Sequence, residues 1–259
     1  NIINIAQMFV DSSLIFGNDN DNNKQFKEIT INSITNKNKD DTETQDTYMT
    51  NATVNNIDTI NEMYVNNYLI TEDLDDVITI DAGKDDNKVI TFYKSQMENL
   101  NIDEIGQISL GVSVLTESKY ELVKSELIDI PTSLYDEMKE PTLRKGDILA
   151  GDNEDILAAF YSSGPGYLGL YVYNRTEKEM KVTGTDLTIA GKNYGDIIHM
   201  TIPPGKAKAY YYDLDTSYYI GTAYDRTDIT SVSAKVAYRT TNSIEPIWES
   251  DSITVDLSK

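Results

Sequence analysis

The chain has 259 residues, with 43 acidic against 22 basic side chains, a formal net charge of -21, no cysteine and one histidine. That length can hold two domains with cores of their own, and that charge repels phosphate backbones and anionic membrane faces, so nucleic acid is a poor partner. Without cysteine there are no disulfides, thiolate nucleophiles or cysteine zinc sites, and a zinc centre or a Ser/His/Asp relay would rest on His199 alone.

Taken from the start, the chain opens at Asn1 with no initiator Met, and a trimmed or processed N-terminus is expected. No run approaches the roughly 20 apolar residues that cross a bilayer. Strand patterns are expected at residues 5–9, 13–18 and 26–34. Between the last two, Asp19, Asn20, Asp21, Asn22 and Asn23 supply oxygens that suit a hard cation. A calcium loop, however, wants glycine where Lys24 stands and a closing acid where Thr30 stands, so the turn reading prevails.

Residues 36–66, rich in Asn, Thr and Asp, read as an inserted loop. Its interior carries Tyr48, Met49, Ile57, Ile60, Met63, Tyr64 and Val65, so its later part is expected to pack as an extra strand or a short helix. Beyond a Gly-turn at Gly83 and the aromatic pair Phe92 and Tyr93, strict alternation places Ile108, Leu110, Val112 and Val114 on one face of a strand. Pro131, Pro141, Gly146 and Gly151 then punctuate a joint, with a helical turn possible over 133–139.

The second half repeats the order of the first. Without a gap, Ile105 meets Ile229, Ile108 meets Val232, Val112 meets Val236, Thr116 meets Thr240 and Val123 meets Ile247. Upstream, residues 80–84 match 202–206, and Phe92 and Tyr93 fall near Tyr211 and Tyr212. Nearer the start, 13–18 is set against 169–174, 26–34 against 180–189, and 5–9 against 157–161. In residues 231–239, Val232, Ala234, Val236 and Tyr238 share one face while Ser231, Ser233, Lys235 and Arg239 share the other, the mark of an antiparallel sheet with one wet side. The expected architecture is all-β: two tandem antiparallel β-sandwich domains of about seven strands each. Residues 1–131 form the first, with the insertion at 36–66; 132–150 link it to the second, a diverged copy at 151–259.

Candidate sites are few. His199 lies in a strand-like run beside a turn, with no nucleophile or orienting partner to name around it. The acid pairs Asp213 with Asp215, and Asp103 with Glu104, could serve a glycosidase, but pairs of this kind arise by chance in so acidic a chain and nothing beside Asp213 raises a carboxyl pKa. The tyrosines Tyr210, Tyr211, Tyr212, Tyr218, Tyr219 and Tyr224 form the densest aromatic cluster. Rings on a sheet face stack on sugars or anchor partners, which makes Tyr210, Tyr212, Tyr218 and Tyr219 the ligand-binding candidates; cross-strand packing is the competing explanation. Trp248 is expected as a core or edge anchor. Asn51-Ala52-Thr53 and Asn174-Arg175-Thr176 fit the glycosylation pattern without deciding anything. No catalytic set, metal site or cofactor is assigned.

The run from Gly169 through Tyr171, Tyr173, Asn174, Arg175 and Thr176 to Lys178, with Ile202-Pro203-Pro204-Gly205-Lys206 downstream, resembles the tandem immunoglobulin-like domains of extracellular surface lipoproteins from Gram-positive bacteria. The likeness covers the second domain well and the first in part, where Asp81 and Ala82 replace Pro203 and Pro204. It implies a location outside the cell, held to the membrane by an N-terminal anchor absent from this chain, and it transfers no active-site residues. The expectation is a monomeric, non-enzymatic module that binds a protein or glycan, adheres, or acts as a spacer. A carboxylate-dependent carbohydrate-active enzyme and a calcium-stabilised surface module are the alternatives.

Overall fold

The computed structural model describes residues 12–16, 26–35, 56–72, 78–80, 85–115, 121–124, 126–214, 228–241 and 243–258. Contacts divide the chain into one unit of Asn1–Asn66 with Ile70–Met138 and another of Asn67–Leu69 with Lys139–Lys259.

The first unit contains β1 (Ser12–Phe16), β2 (Phe26–Thr35), β3 (Asn56–Val65), β4 (Tyr68–Glu72) from Ile70 onward, β5 (Ile78–Ile80), β6 (Asp85–Tyr93), the short helix α1 (Lys94–Asn99), β7 (Gln107–Leu115), β8 (Glu121–Lys124) and β9 (Ile128–Pro131). β2 lies between β1 and β6 in one antiparallel sheet. β3 lies between β5 and β7 in another, and β7 continues to β8 and β9.

After a 3-10 turn at Tyr135–Glu137, the second unit runs through β10 (Ile148–Asp152), β11 (Ile156–Ser162), β12 (Tyr167–Asn174), β13 (Met180–Ile189), β14 (Lys192–Asn193), β15 (His199–Ile202), β16 (Ala207–Asp213), β17 (Ser231–Thr240), β18 (Trp248–Glu249) and β19 (Ile253–Asp256). One sheet has the order β10-β11-β12-β16. In the other, β13 pairs with β14, β15 and β17, and β17 pairs with β18 and β19.

Seven strands of each unit correspond: β1, β2 and β6, like β11, β12 and β16, share one sheet, while β3, β5, β7 and β9, like β13, β15, β17 and β19, share the other. That is the Greek-key order of an immunoglobulin-like sandwich, in its fibronectin-type arrangement. The fold is therefore all-β, with two such antiparallel sandwiches in tandem. Equivalence extends to register: Val112 faces Ile60 and Val236 faces Gly184, each the sixth residue of its strand opposite the fifth of the neighbour. Ile105 and Ile229, aligned from sequence, are both 3% exposed.

The early part of the repeat needs a correction. By pairing, β1 corresponds to β11, β2 to β12 and β3 to β13, so residues 13–18 and 26–34 had been set one strand too late in the second copy. The segment read as an insertion consequently holds β3, an integral strand of its sheet rather than an extra one. Alternating strands joined by polar turns look alike, and only pairing distinguishes a shift by one strand. Residues 5–9, the other partners of that comparison, and the Asp19–Asn23 turn lie outside the described residues.

The second unit's core forms where alternation brings two inner faces together. Ile156, Ala158, Phe160, Leu168, Leu170 and Val172 project from one sheet; Met180, Val182, Val232, Ala234, Val236 and Tyr238 project from the other. Each large apolar side chain buried in this way contributes about 1.5–3 kcal/mol. Two glycines admit aromatic rings against the backbone. A Cβ on Gly169 would lie 2.1 Å from the Tyr161 ring, and one on Gly151 would lie 2.3 Å from Trp248. Trp248 thus anchors an edge, as expected, and also stacks on Tyr238 with centroids 6.0 Å apart.

Candidate functional site

The most strongly organised surface of the second unit is one end of the sandwich, where turns between strands meet. Its organiser is Asn174, the last residue of β12, whose side chain is fully buried. Nδ2 of Asn174 donates to the carbonyls of Lys178 (2.8 Å), Ile202 (3.0 Å) and Pro203 (3.1 Å). Its Oδ1 accepts from the backbone N–H and Oγ1 of Thr176. One amide thereby ties the β12–β13 turn to the β15–β16 turn and satisfies carbonyls that burial would otherwise leave costly. The Asn174-Arg175-Thr176 triplet, read from sequence as a glycosylation pattern, is here a structural knot with a buried, fully used amide.

Neighbouring turns are fixed by the same kind of bond. Asn153 Oδ1 accepts from the N–H groups of Asp155 (2.9 Å) and Ile156 (3.1 Å), closing the β10–β11 turn as an Asx motif. The guanidinium of Arg175 donates to Asp152 Oδ1 (2.7 Å) and to the Asn153 carbonyl. The hydroxyl of Tyr238 donates to Asp155 Oδ2 at 2.6 Å; burial, followed by that carboxylate, holds its pKa well above the ordinary phenol value.

Between these turns lies a groove of about 340 Å³, whose lining includes Asp155, Glu179, Met180, Tyr238, Arg239 and Ile247. With Glu177 and Lys178 also in the lining, three carboxylates, two cationic side chains, a phenol and apolar surface converge there. On the β17–β18 turn at its rim, Ile244 is 86% exposed and Ile247 is 55% exposed. An open groove of this composition suits recognition of a side chain or short segment.

The tyrosine candidates from sequence are distributed differently. Tyr210 is exposed and stacks on Tyr211, with centroids 6.2 Å apart and planes at 19°. Tyr211 in turn meets the edge of Tyr167 at 5.8 Å. Tyr212, opposite Leu168, is half-buried and packs against the core. Alternation along β16 thus fails at Tyr210 and Tyr211, which are both exposed. Tyr218 and Tyr219 lie outside the described residues. Tyr167 begins β12 and Asn174 ends it, so the exposed rings sit at the opposite end of that strand from the groove.

Other residues weighed from sequence occupy plain positions. His199 is exposed on β15, with Nδ1 3.3 Å from Thr183 Oγ1. Asp103, Glu104 and Asp213 are exposed, and Asp215 is outside the described residues. Among the described residues, no group of three or more acidic or histidine side chains is arranged to hold a metal ion, and no helix is long and apolar enough to cross a membrane. Sequence reasoning missed the groove, because its lining comes from turns far apart in the chain. The Asn174 segment and the Pro203-Pro204-Gly205 corner, which carried the family resemblance, were the signal that led to its edge.

No family model and no curated protein matches the chain. Among solved structures, the chicken interferon gamma receptor alpha chain aligns over 96% of this chain and 98% of its own, at 7% identity and a TM-score of 0.26. Red sea bream transglutaminase aligns over 97% of this chain at 9% identity and a TM-score of 0.23. This chain spans 32% of the transglutaminase. Scores this low carry no argument; the fold rests on strand order and register.

Proposed function

We propose that this protein is a non-enzymatic extracellular module that binds a protein or glycan partner through the turn-bearing end of its second sandwich. The observation that carries this reading is the groove between the β12–β13 and β17–β18 turns, with its walls set by the Asn174 hydrogen bonds and exposed isoleucines at its rim. A rigid scaffold that presents turns is the usual way a sandwich gains recognition without a catalytic set. Tyr210, with Tyr211 and Tyr167, offers a second contact area, and Tyr212, Tyr218 and Tyr219 remain part of that proposal. Attachment to a Gram-positive-type cell surface through an N-terminal lipid anchor, and a monomeric state, belong to the same reading and are supported by the family resemblance. The net charge of -21 supports partners other than nucleic acid.

The test is to screen the purified chain against arrays of glycans and extracellular protein domains, beside Glu177→Arg and Thr240→Arg variants that obstruct the groove. A partner whose affinity falls at least tenfold in both variants, at unchanged melting temperature, is the expected result. Turnover of a glycoside, ester or peptide substrate that is lost in Asp155→Asn or Glu179→Gln would overturn the reading in favour of a carboxylate enzyme.

A further inference from the structure

The wet face of the β13–β17 sheet carries a charge arrangement that the fold does not need. Met180, Val182, Val236 and Tyr238 point into the core, so alternation puts Lys181, Thr183, Ala237 and Arg239 on the other side. Lys181 and Arg239 are register partners on adjacent antiparallel strands. Like charges directly opposite one another destabilise such a pair. In a chain with 43 acidic residues, a carboxylate to relieve them would be easy to supply.

Elsewhere on this face relief is supplied. Lys235 lies 3.0 Å from Asp186 Oδ2 and 2.9 Å from Glu249 Oε1. Those two hydrogen-bonded carboxylates raise its pKa, and Lys235, with Asn193, lowers that of Asp186. Among the described residues, neither Lys181 nor Arg239 has a carboxylate within 4.0 Å. Glu179, close in sequence, accepts instead from Thr241 Oγ1 at 2.9 Å.

Arg239 is nonetheless held in place. Its Nη1 donates to the carbonyls of Ser243 (3.3 Å) and Ile244 (3.2 Å) in the β17–β18 turn. Nε and Nη2, the edge of a guanidinium that grips a carboxylate with two parallel bonds, donate to nothing among the described residues. The same turn holds out Ile244 and Ile247, 86% and 55% exposed. A clamped cation with its two-donor edge open, a second cation opposite and apolar side chains alongside make a composite recognition surface.

We propose that this face docks an acidic segment of a protein partner, in which an Asp or Glu carboxylate takes the Nε and Nη2 donors of Arg239, relieves Lys181, and is flanked by an apolar residue that covers Ile244 and Ile247. The isoleucines favour a polypeptide over an acidic glycan, whose carboxylates come on hydroxylated rings. The inference deepens the groove reading, since Arg239 and Ile247 also line that cleft; Lys181, outside the lining, is the residue that separates the two.

The test is an amide-shift titration of the full chain at low salt with three probes: a blocked pentapeptide alternating leucine and glutamate, its glutamine counterpart, and a trisaccharide of uronic acid. The glutamate peptide is expected to shift the amides of Lys181, Arg239 and Ile244 with saturation, at least tenfold more tightly than either other probe. Lys181→Glu, and Arg239→Lys, which keeps the charge and removes the fork, should each weaken it at least tenfold without lowering the melting temperature. Equal binding of the glutamine peptide, tighter binding of the trisaccharide, indifference to both variants, or no saturable shift would overturn the proposal. Lys181→Glu, outside the groove lining, should weaken the glutamate peptide while sparing a partner of the groove, so the two readings fail separately.

Discussion

The second sandwich presents two outer faces that each carry an arginine, and the two arginines are treated in opposite ways. On the β11–β12 face, Arg144 lies over the rings of Tyr161 and Tyr171, with Cζ 4.2 and 5.2 Å from their centroids. Its Nε and Nη2 both reach Asp147, at 3.3 and 3.1 Å. The Asp147 side chain is 2% exposed and that of Arg144 is 19% exposed, so the pair is largely withdrawn from water. On the β13–β17 face, Arg239 faces a lysine and, among the described residues, is fixed by carbonyls through Nη1 alone and has no carboxylate within 4.0 Å. The first guanidinium is consumed by the fold; the second is positioned by it and left with donors to give. A charged residue spent internally supports stability, whereas one held rigid and unspent indicates recognition.

The largest expected effect on this comparison comes from pH. Burial foremost raises the phenol pKa values of Tyr161 and Tyr171 on the first face and of Tyr238 at the turn-bearing end, above the ordinary 10.0. Because the unfolded chain then releases these protons first, stability is retained below pH 10 and falls as pH rises beyond it. Urea unfolding midpoints across that range should drop steeply, and Tyr171→Phe should blunt the drop while leaving the neutral-pH midpoint within reach of wild type.

Next in size, Gly169→Ala should lift the Tyr161 ring off the backbone and cost about 2 kcal/mol in chemical unfolding, because the new Cβ would meet that ring at 2.1 Å. The comparison between arginines is sharpened by removing one contact from each. Asp147→Asn should destabilise by about 2 kcal/mol, since hydrogen bonds to a charged, buried partner are lost. Arg239→Ala should change stability by less than about 0.5 kcal/mol. Smallest of all, Lys181→Glu should stabilise by about 0.5 kcal/mol, by turning an opposed like-charge pair into an ion pair; a melting temperature below wild type would break the contrast.

The fold could be read from particular residues. Val232, Ala234, Val236 and Tyr238 alternate, and so do Ile108 and Leu110; where burial is described, these are core positions. The late repeat held in register through β7 and β17, whose apolar positions match one by one, but slipped by one residue beyond them: Val123 pairs with Val114 where Trp248, not Ile247, pairs with Tyr238. The early repeat slipped by one strand because β1, β2 and β3 are alternating segments between polar turns, with no residue that marks which is which. Within the binding candidates, Tyr210 was visible as an exposed ring, but Tyr212 turned inward against the core. Arg239 and Lys181 carried no signal at all, since 58 positions separate them and only strand pairing sets them face to face.

Composition and periodicity by themselves determined an all-β chain, a doubled architecture and the identity of most core-facing side chains, because burial acts on each strand through a local period of two. Tertiary structure alone decided which strands are neighbours, where Asn174 spends its amide, and which of two arginines keeps its donors open. Those outcomes depend on contacts between distant segments, whose register no local pattern encodes.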